Sequence, residues 1–148
     1  MPGPPFDNVE VNLQNASFAE DNFGDVLLVE QALTEHQVDH ELHVVKDGDE
    51  ALQFLDRMGE AGEPPCPDVL LLDLNLPKVE GPQVLQQFRK HSACAQTPVI
   101  VVTSSDAPRD RRRVEALGAT AYFRKPSELS EFMRLGALVK ELADGRAT

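Results

Sequence analysis

Apolar residues along this chain fall into short runs that predict strands. Residues 68–74 and 99–102 each contain four consecutive aliphatic residues, so neither segment has a polar face. Such runs are typical of central strands in a parallel sheet, because helices cover both faces of that kind of sheet. Shorter apolar segments at residues 42–45 and 121–123 predict two more strands, and an alternating segment at residues 9–13 predicts the first one.

Apolar residues at helical spacing lie between these strands. They predict a helix over about residues 23–35, one capped by Asp49, one around residues 84–88, one from Pro108 to Gly118 and one from a Ser127 cap to about residue 143. Strands and helices therefore alternate along the whole chain. This alternation predicts an α/β fold, a doubly wound five-stranded parallel sheet with right-handed crossovers.

The length of 148 residues suits one domain that can bury a two-sided sheet. We expect residues 1–15 to be an N-terminal extension, disordered over its proline-rich residues 1–8. Residues 16–143 are the expected folded domain, and residues 144–148 the C-terminal tail. The glycine- and proline-rich residues 59–67 predict a loop.

The net charge of −11 argues against direct binding of nucleic acid, because phosphate backbones are bound by clustered cations. No apolar run approaches the length of a membrane span, and no secretion signal begins the chain. We therefore expect a cytoplasmic protein that binds no membrane. In that compartment Cys66 and Cys94, which form no closely spaced ligand pair, are expected to be reduced thiols without a role.

Side chains able to do chemistry follow four of the predicted strands. In chain order they are Glu20 and Asp21, Asp73, Thr103 and Lys125. Because the carboxyl ends of parallel strands meet at one edge of a sheet, we expect these side chains to converge. Three carboxylates in one place repel one another unless a cation shares the site. Oxygen ligands at that density suit Mg2+, which the sequence predicts as a cofactor.

Asp73 is the centre of the predicted chemistry. Its carboxylate is ionised at neutral pH, so it can attack phosphorus as a nucleophile without a base. Thr103 can donate a hydrogen bond to a phosphoryl oxygen, and Lys125 can neutralise another one. The set predicts phosphoryl transfer onto aspartate, with positioning and electrostatics supplying most of the catalysis. Taken alone, Asp73 could equally be a solubilising acid in a loop.

Together these segments resemble a known family. Glu20-Asp21, residues 73–77 (Asp-Leu-Asn-Leu-Pro), Thr103 and Lys125-Pro126 are similar to the signature of the receiver domains of two-component response regulators. Each motif is weak by itself, but their order at the ends of four strands is specific. The resemblance covers about residues 16–143 and implies a flavodoxin-like (βα)5 fold with strand order 2-1-3-4-5.

The resemblance assigns roles around the phosphoacceptor. Asp73 matches the aspartate that becomes 4-aspartylphosphate. Asp21 and Glu20 match the metal-binding acids, and the backbone carbonyl of Asn75 matches a further metal ligand beside Asp73. Lys125 matches the residue that pairs with the phosphoryl group.

It also assigns a switch and two structural positions. Thr103 matches the switch hydroxyl, and Tyr122 matches an aromatic residue whose rotamer changes with it. Pro126 falls where the family keeps a cis proline. Gly81 is expected to meet a backbone requirement and to take no part in the chemistry.

The resemblance implies a signalling protein that is not an enzyme. We expect a single-domain response regulator that accepts a phosphoryl group from a histidine kinase, assists that transfer and its own slow dephosphorylation, and signals through a phosphorylation-dependent surface. No residues remain for an output domain, and the Leu-Asn-Leu-Pro segment is similar to small receivers that serve phytochrome-type histidine kinases. One departure is residues 15–19, which give a central first strand little apolar bulk, so we expect that strand to pack weakly.

Three other functions fit parts of the pattern. A phosphatase of the haloacid dehalogenase type needs a second acid where this chain has Asn75, which cannot protonate a leaving group. A flavodoxin-like cofactor binder needs a phosphate-cradling loop where Glu20 and Asp21 would repel phosphate. A pseudo-receiver, a protein-binding module that is never phosphorylated, is supported only by the unusual first strand.

The last predicted helix carries two apolar stripes. Leu129, Phe132, Met133, Gly136 and Val139 make the stripe that covers the sheet, and Leu135, Leu138 and Leu142 make an adjacent one. Together they are wider than a surface helix needs. We interpret the second stripe as a homodimer or partner interface beside an arginine-rich fourth helix. The alternative is a deeper groove between neighbouring helices.

Overall fold

The computed structural model describes residues 11–57, 66–91 and 94–147. These residues contain a five-stranded parallel sheet in the order β2-β1-β3-β4-β5. The strands are β1 (Val11–Ala19), β2 (Val38–Val45), β3 (Val69–Leu72), β4 (Val99–Thr103) and β5 (Ala121–Arg124). The predicted fold and strand order are confirmed. The expected disordered lead at residues 1–8 and most of the predicted loop at residues 59–67 lie outside the described residues.

Helices connect the strands and cover both faces of the sheet. They are α1 (Phe23–Glu35), α2 (Gly48–Arg57), α3 (Gly81–Lys90), α4 (Pro108–Ala116), α5 (Leu129–Phe132) and α6 (Arg134–Ala147). Buried residues of α1, α5 and α6 form one core with one face of the sheet, and buried residues of α2, α3 and α4 form a second core with the other. The sheet is therefore buried on both sides, as the unbroken apolar runs of β3 and β4 predicted.

The first strand is longer and better buried than its sequence predicted. It runs as one strand through Val11–Ala19, with a register shift against β2 between Leu13 and Ala16. Ala16, Phe18 and Ala19 are fully buried, so the expectation of weak packing is wrong at these positions. Ala16 and Phe18 belong to the core on one face of the sheet, and Ala19 belongs to the core on the other, so the strand is covered on both faces.

Two predicted helix caps are replaced by neighbouring residues. Asp47 caps α2, because the N–H of Glu50 donates to its Oδ1 at 2.7 Å, and Asp49 lies inside the helix. Glu128, without a side-chain cap bond, precedes α5 in place of Ser127. Helix α2 therefore begins two residues earlier than a cap at Asp49 predicts, and α5 begins one residue later than a cap at Ser127 predicts.

The last helical segment corrects the predicted interface. It breaks at Met133 into α5 and α6, and α6 packs so closely on α1 that a Cβ at Gly136 would lie 2.1 Å from the Ala32 carbonyl oxygen. At this distance Leu135 is fully buried in the core beneath α1, so it is not an interface residue. Leu138 and Leu142 are half-buried against the same core. The deeper groove between helices is the correct interpretation of Leu135.

A disulfide joins Cys66 to Cys94, and the predicted pair of reduced thiols is wrong in this structure. The segment of Cys66 enters β3 and that of Cys94 precedes β4. Because β3 and β4 are parallel neighbours, their amino ends lie side by side, and the two Cα atoms are 5.5 Å apart. The bond therefore closes the edge of the sheet opposite to Asp73.

None of the helices in the described ranges is both long and apolar enough to cross a membrane.

Candidate functional site

The carboxyl ends of β1 and β3 place two acids next to each other. Ala19 and Leu72 are register partners, so Glu20 and Asp73 follow adjacent strands at the same level. The N–H of Asp73 donates to the Ala19 carbonyl at 3.1 Å, and the N–H of Glu20 donates to the Val45 carbonyl at 2.9 Å. Backbone hydrogen bonds of the sheet thus set the positions of both acids.

Three carboxylates form a cluster that suits a divalent metal ion. One ligand oxygen each from Glu20, Asp21 and Asp73 lies within 4.8 Å of the others. Glu20 and Asp73 are buried, whereas Asp21 is exposed at the rim. Carboxylate oxygens at these separations are the ligands of a hard cation, so the residues present fit the group that the sequence predicts.

Lys125 brings a positive charge into this cluster. Its ammonium donates to Glu20 Oε1 at 2.6 Å, to Asp25 Oδ2 at 2.7 Å and to Asp73 Oδ2 at 3.1 Å. The strand edge fixes its backbone, because the N–H of Lys125 donates to the Thr103 carbonyl at 2.7 Å. Burial lowers the pKa of Lys125, but the hydrogen bonds to the surrounding carboxylates and their negative charges raise it by more. The net pKa of Lys125 therefore lies above its ordinary value. The ammonium is therefore permanently charged near neutral pH.

Asp73 remains ionised although it is buried. Burial raises its pKa, but the N–H of Asn75, which donates to Asp73 Oδ1 at 3.1 Å, and the charge of Lys125 lower it. The net pKa lies below the ordinary value for an aspartate. A charged carboxylate held between two donors can serve as a nucleophile without losing a proton first.

The pKa of Glu20 is shifted in the opposite direction to that of Asp73. The net pKa of Glu20 is raised to about 7, because burial and the nearby charge of Asp73 raise the pKa by more than the hydrogen bond from Lys125 lowers it. Two buried carboxylates of like charge cannot both ionise easily, so the proton of the pair belongs to Glu20. A cation that binds the pair replaces this proton as the compensating charge.

Thr103 and Tyr122 are connected through the loop that follows β4. Thr103 is fully buried at the strand end, and its hydroxyl oxygen accepts a bond from the N–H of Ser105 at 3.4 Å. The hydroxyl of Tyr122 donates to the carbonyl of the same Ser105 at 2.8 Å. The guanidinium carbon of Arg111 lies 4.4 Å from the centroid of the Tyr122 ring, a cation–π contact from α4. A movement of Thr103 would therefore be transmitted to Tyr122 through Ser105.

Gly81 meets the backbone requirement that we expected. It begins α3 directly against the phosphoacceptor segment, and its N–H donates to the Leu74 carbonyl at 3.0 Å. A Cβ here would lie 2.3 Å from the Asp73 carbonyl oxygen and 2.7 Å from the Leu74 Cα. Only glycine permits this approach without moving the backbone of the site.

We expect Gly81→Ala to destabilise the fold by about 2 kcal/mol, because the clash is with backbone atoms that have no rotamer to escape into. Gly24→Ala is the matched control, since its Cβ would meet only the Asn22 Oδ1 side-chain atom at 3.1 Å. Chemical denaturation of both variants measures the difference. Equal stability of Gly81→Ala and wild type would contradict the close approach.

Pro126 departs from its family expectation. The described residues contain no cis peptide bond, so the bond between Lys125 and Pro126 is trans. A trans bond is the more stable form before proline by roughly 0.5–1 kcal/mol. The ammonium of Lys125 reaches its three carboxylates from this backbone.

Asp25 belongs to the site although the sequence pattern did not indicate it. This residue lies in the first turn of α1, where its N–H donates to Asn22 Oδ1, the cap of that helix, at 3.1 Å. An acid three residues after a cap is an ordinary helix-start signal. Nothing in the local pattern indicates its contact with a lysine 100 positions away.

Comparisons with known proteins agree with this geometry. A family model described as the response regulator receiver domain matches residues 18–135. The response regulator Rcp1 of Synechocystis sp. is 34% identical over 116 residues, covering 78% of this chain and 79% of that protein. The crystal structure of the phosphorylated cyanobacterial phytochrome response regulator RcpA matches with a TM-score of 0.77 at 33% identity, covering 91% of this chain and 97% of that one. The Mn2+-bound form of Rcp1 matches with a TM-score of 0.71 at 32% identity, covering 86% and 91%.

The family match and the site occupy the same part of the chain. The matched residues include the acids after β1 and β3, the hydroxyl at the end of β4 and the lysine after β5. The acidic cluster is able to bind a divalent metal ion, and a relative of the same fold has been solved with Mn2+ bound. This chain belongs to the family of response regulator receiver domains.

Proposed function

We propose that the protein accepts a phosphoryl group on Asp73 from a histidine kinase and signals in its phosphorylated form. The observation that carries the proposal is the ionised, buried Asp73 carboxylate, 3.1 Å from the ammonium of Lys125 inside the acidic cluster. A nucleophile and a neutralising cation in this arrangement are what phosphoryl transfer needs. Labelling by a small phosphodonor, and its loss in Asp73→Asn, is the test. The protein is thus a phosphoacceptor and not an enzyme with a separate substrate.

Mg2+ is the proposed metal ion. Glu20, Asp21, Asp73 and the backbone carbonyl of Asn75 would hold it. When bound, Mg2+ supplies positive charge to the phosphoryl oxygens. The Mn2+-bound form of Rcp1 supports a divalent ion in such a site.

The proposed switch uses Thr103 and Tyr122. In the structure the Thr103 hydroxyl oxygen accepts from the N–H of Ser105, so its own proton is available for a phosphoryl oxygen. Donation of that proton would draw Thr103 toward Asp73 and alter the Ser105 loop that holds the Tyr122 hydroxyl. The surface around α4 and β5 is therefore where we expect the phosphorylated form to differ.

The proposed kinase surface is an apolar patch beside the site. It consists of Phe23 and Leu27, one turn apart on α1, and Leu129 at the start of α5, which packs on α1. These side chains are 73%, 50% and 52% exposed, an unusual amount for large apolar residues grouped at one place. Because α1 begins after Asp21 and α5 begins soon after Lys125, a protein seated on this patch reaches Asp73. The phytochrome response regulator RcpA, as a relative, supports a kinase of the phytochrome type.

We expect Leu27→Gln to slow phosphotransfer from such a kinase about tenfold at limiting kinase concentration, because the substitution removes an apolar contact at the centre of the patch. The rate with acetyl phosphate should stay unchanged. Val44→Thr is the control, since Val44 is 37% exposed on the edge strand β2, outside the patch. An unchanged rate with every phytochrome-type kinase that labels the wild type would exclude this surface.

Self-association through the last helix stays a prediction. Because Leu135 is buried in the core, the predicted interface keeps only Leu138 and Leu142 as apolar residues, and both are half-buried. A cytoplasmic location and the absence of direct nucleic-acid binding also stay predictions, the latter supported by the charge of −11. The pseudo-receiver is the competing function, and the complete set of Asp73, Thr103 and Lys125 at one edge speaks against it.

A further inference from the structure

Asp25 makes one of the shortest polar contacts of the site. Its Oδ2 lies 2.7 Å from the Lys125 ammonium, closer than the 3.1 Å that separates this ammonium from Asp73 Oδ2. The Asp25 side chain is only 22% exposed, so water screens the pair weakly. This contact belongs to none of the roles assigned so far.

The three carboxylates around Lys125 are not equivalent. A lysine ammonium has three donors, and Glu20, Asp25 and Asp73 accept one each. Glu20 and Asp73 belong to the carboxylate cluster that fits a metal ion, whereas Asp25 does not. A cation in the cluster would compete with the ammonium for two of its three partners. Asp25 is the partner that remains.

Asp25 is also held independently of the reacting groups. Its backbone lies in the first turn of α1, and its N–H donates to the helix cap Asn22. The helix, and not the loop after β3, therefore sets the position of its carboxylate. A fixed acceptor of this kind can keep a long, flexible lysine side chain in one place.

We propose that Asp25 is a positioning residue for phosphorylation, holding the Lys125 ammonium beside Asp73 while metal ion and phosphoryl group occupy the other carboxylates. The inference rests on the proposed phosphorylation of Asp73. It adds a residue of α1 to a site otherwise built from strand ends.

The chemical step itself leaves Asp25 unchanged. An Asp73 carboxylate oxygen forms a bond to the phosphorus of acetyl phosphate, the bond from phosphorus to the acetyl oxygen breaks, and acetate leaves with the electron pair. No proton is transferred, because the attacking Asp73 carboxylate is already ionised. Negative charge arrives at Asp73 with the phosphoryl group, and the ammonium stabilises it only if it stays within hydrogen-bonding distance.

Asp25 could also act against phosphorylation, and the rate would then change in the opposite direction when Asp25 is removed. If Asp25 withdrew the ammonium from Asp73, its removal would release Lys125 and accelerate phosphorylation. The rate of Asp25→Ala with acetyl phosphate and saturating Mg2+ decides between the two. We expect this rate to fall about tenfold, the scale of a misplaced catalytic group, and Asp25→Asn, which keeps an oxygen acceptor without the charge, to recover part of it. A rate equal to or above that of wild type would overturn the inference.

A double-mutant cycle separates positioning from a general loss of structure. If Asp25 acts through Lys125, adding Asp25→Ala to Lys125→Ala should change the rate by less than about twofold. Multiplicative losses in the double variant would refute the inference. Glu30→Ala removes one negative charge from the same helix but leaves the three ion pairs of Lys125 in place, and it should label like wild type.

Two further measurements keep the result interpretable. Mg2+ affinity of Asp25→Ala should stay within about threefold of wild type, because Asp25 is not among the cluster acids, and a larger loss would refute the positioning role. If Asp25→Ala fails to fold in a thermal melt, the isosteric Asp25→Asn carries the test alone. Wild type that takes no label, or takes it at another residue, would defeat the proposed function itself. Normal labelling of wild type with an unchanged rate in Asp25→Ala, or in Asp25→Asn if the alanine variant does not fold, would defeat only the role of Asp25.

Discussion

Asp73→Asn is expected to abolish the phosphoryl group that wild type takes from acetyl phosphate in the presence of Mg2+. The amide has the size of the carboxylate, but it lacks the negative charge and the nucleophilic oxygen that attack phosphorus. Substitution also removes one carboxylate from the acids around the Lys125 ammonium, so repulsion within the site decreases. The variant should therefore fold normally while its labelling falls below about 1% of wild type.

The measurement is the mass of the intact protein before and after incubation with the phosphodonor. One phosphoryl group per chain should appear in wild type, stable in acid and removed by base, as an acyl phosphate is. Asp39→Asn on the exposed side of β2 removes an equal charge far from the site and should label fully. Full labelling of Asp73→Asn would place the phosphoacceptor elsewhere, whereas a wild type that takes no label would leave the protein-binding module as the better function.

The sequence was most informative where a residue's surroundings follow from the fold class alone. The apolar runs of β3 and β4 require cover on both faces, so they predict a parallel sheet. In such a sheet the residue after each strand must lie at one edge, and this rule placed Asp73 and Lys125 together before any distance was known. Prediction succeeded here because topology, and not side-chain detail, determines the answer.

It failed where the outcome depends on contacts between distant segments. Leu135 looks like a surface residue on a helical wheel, but Gly136 lets α6 approach α1 so closely that the position is buried. Asp25 looks like part of a helix start, and only the path of β5 brings Lys125 to it. Neither the depth of a helix in its groove nor the partner of a surface acid is encoded within a few residues of sequence.

The cysteines illustrate how such a contact could have been found. Strand order 2-1-3-4-5 makes β3 and β4 neighbours, so residues just before these strands meet at the amino edge. Cys66 and Cys94 occupy those positions. The predicted strand order already implied that the two cysteines lie close together. We nevertheless predicted reduced thiols, because we expected a reducing compartment.

Removal of this disulfide should lower the free energy of unfolding by about 3.5 kcal/mol, the chain-entropy value for a loop of this size. The bond spans 28 positions, a segment that includes β3, Asp73 and Gly81. For a domain of this length the loss corresponds to a melting temperature lower by about 10 °C. Thermal melts of wild type with and without dithiothreitol, and of the Cys66→Ser, Cys94→Ser double variant, provide the measurement.

The double variant is the control for the reductant, because it has no bond to reduce and should melt at one temperature in both buffers. Its phosphorylation rate at 25 °C should match that of wild type, since the disulfide lies at the amino edge of the sheet and Asp73 at the carboxyl edge. Loss of the disulfide is thus expected to lower the stability of the protein without changing its phosphorylation rate. If the melting temperature of wild type is the same with and without dithiothreitol, the bond does not form in solution. A double variant that is stable but cannot be phosphorylated would show instead that the two edges of the sheet are coupled through β3.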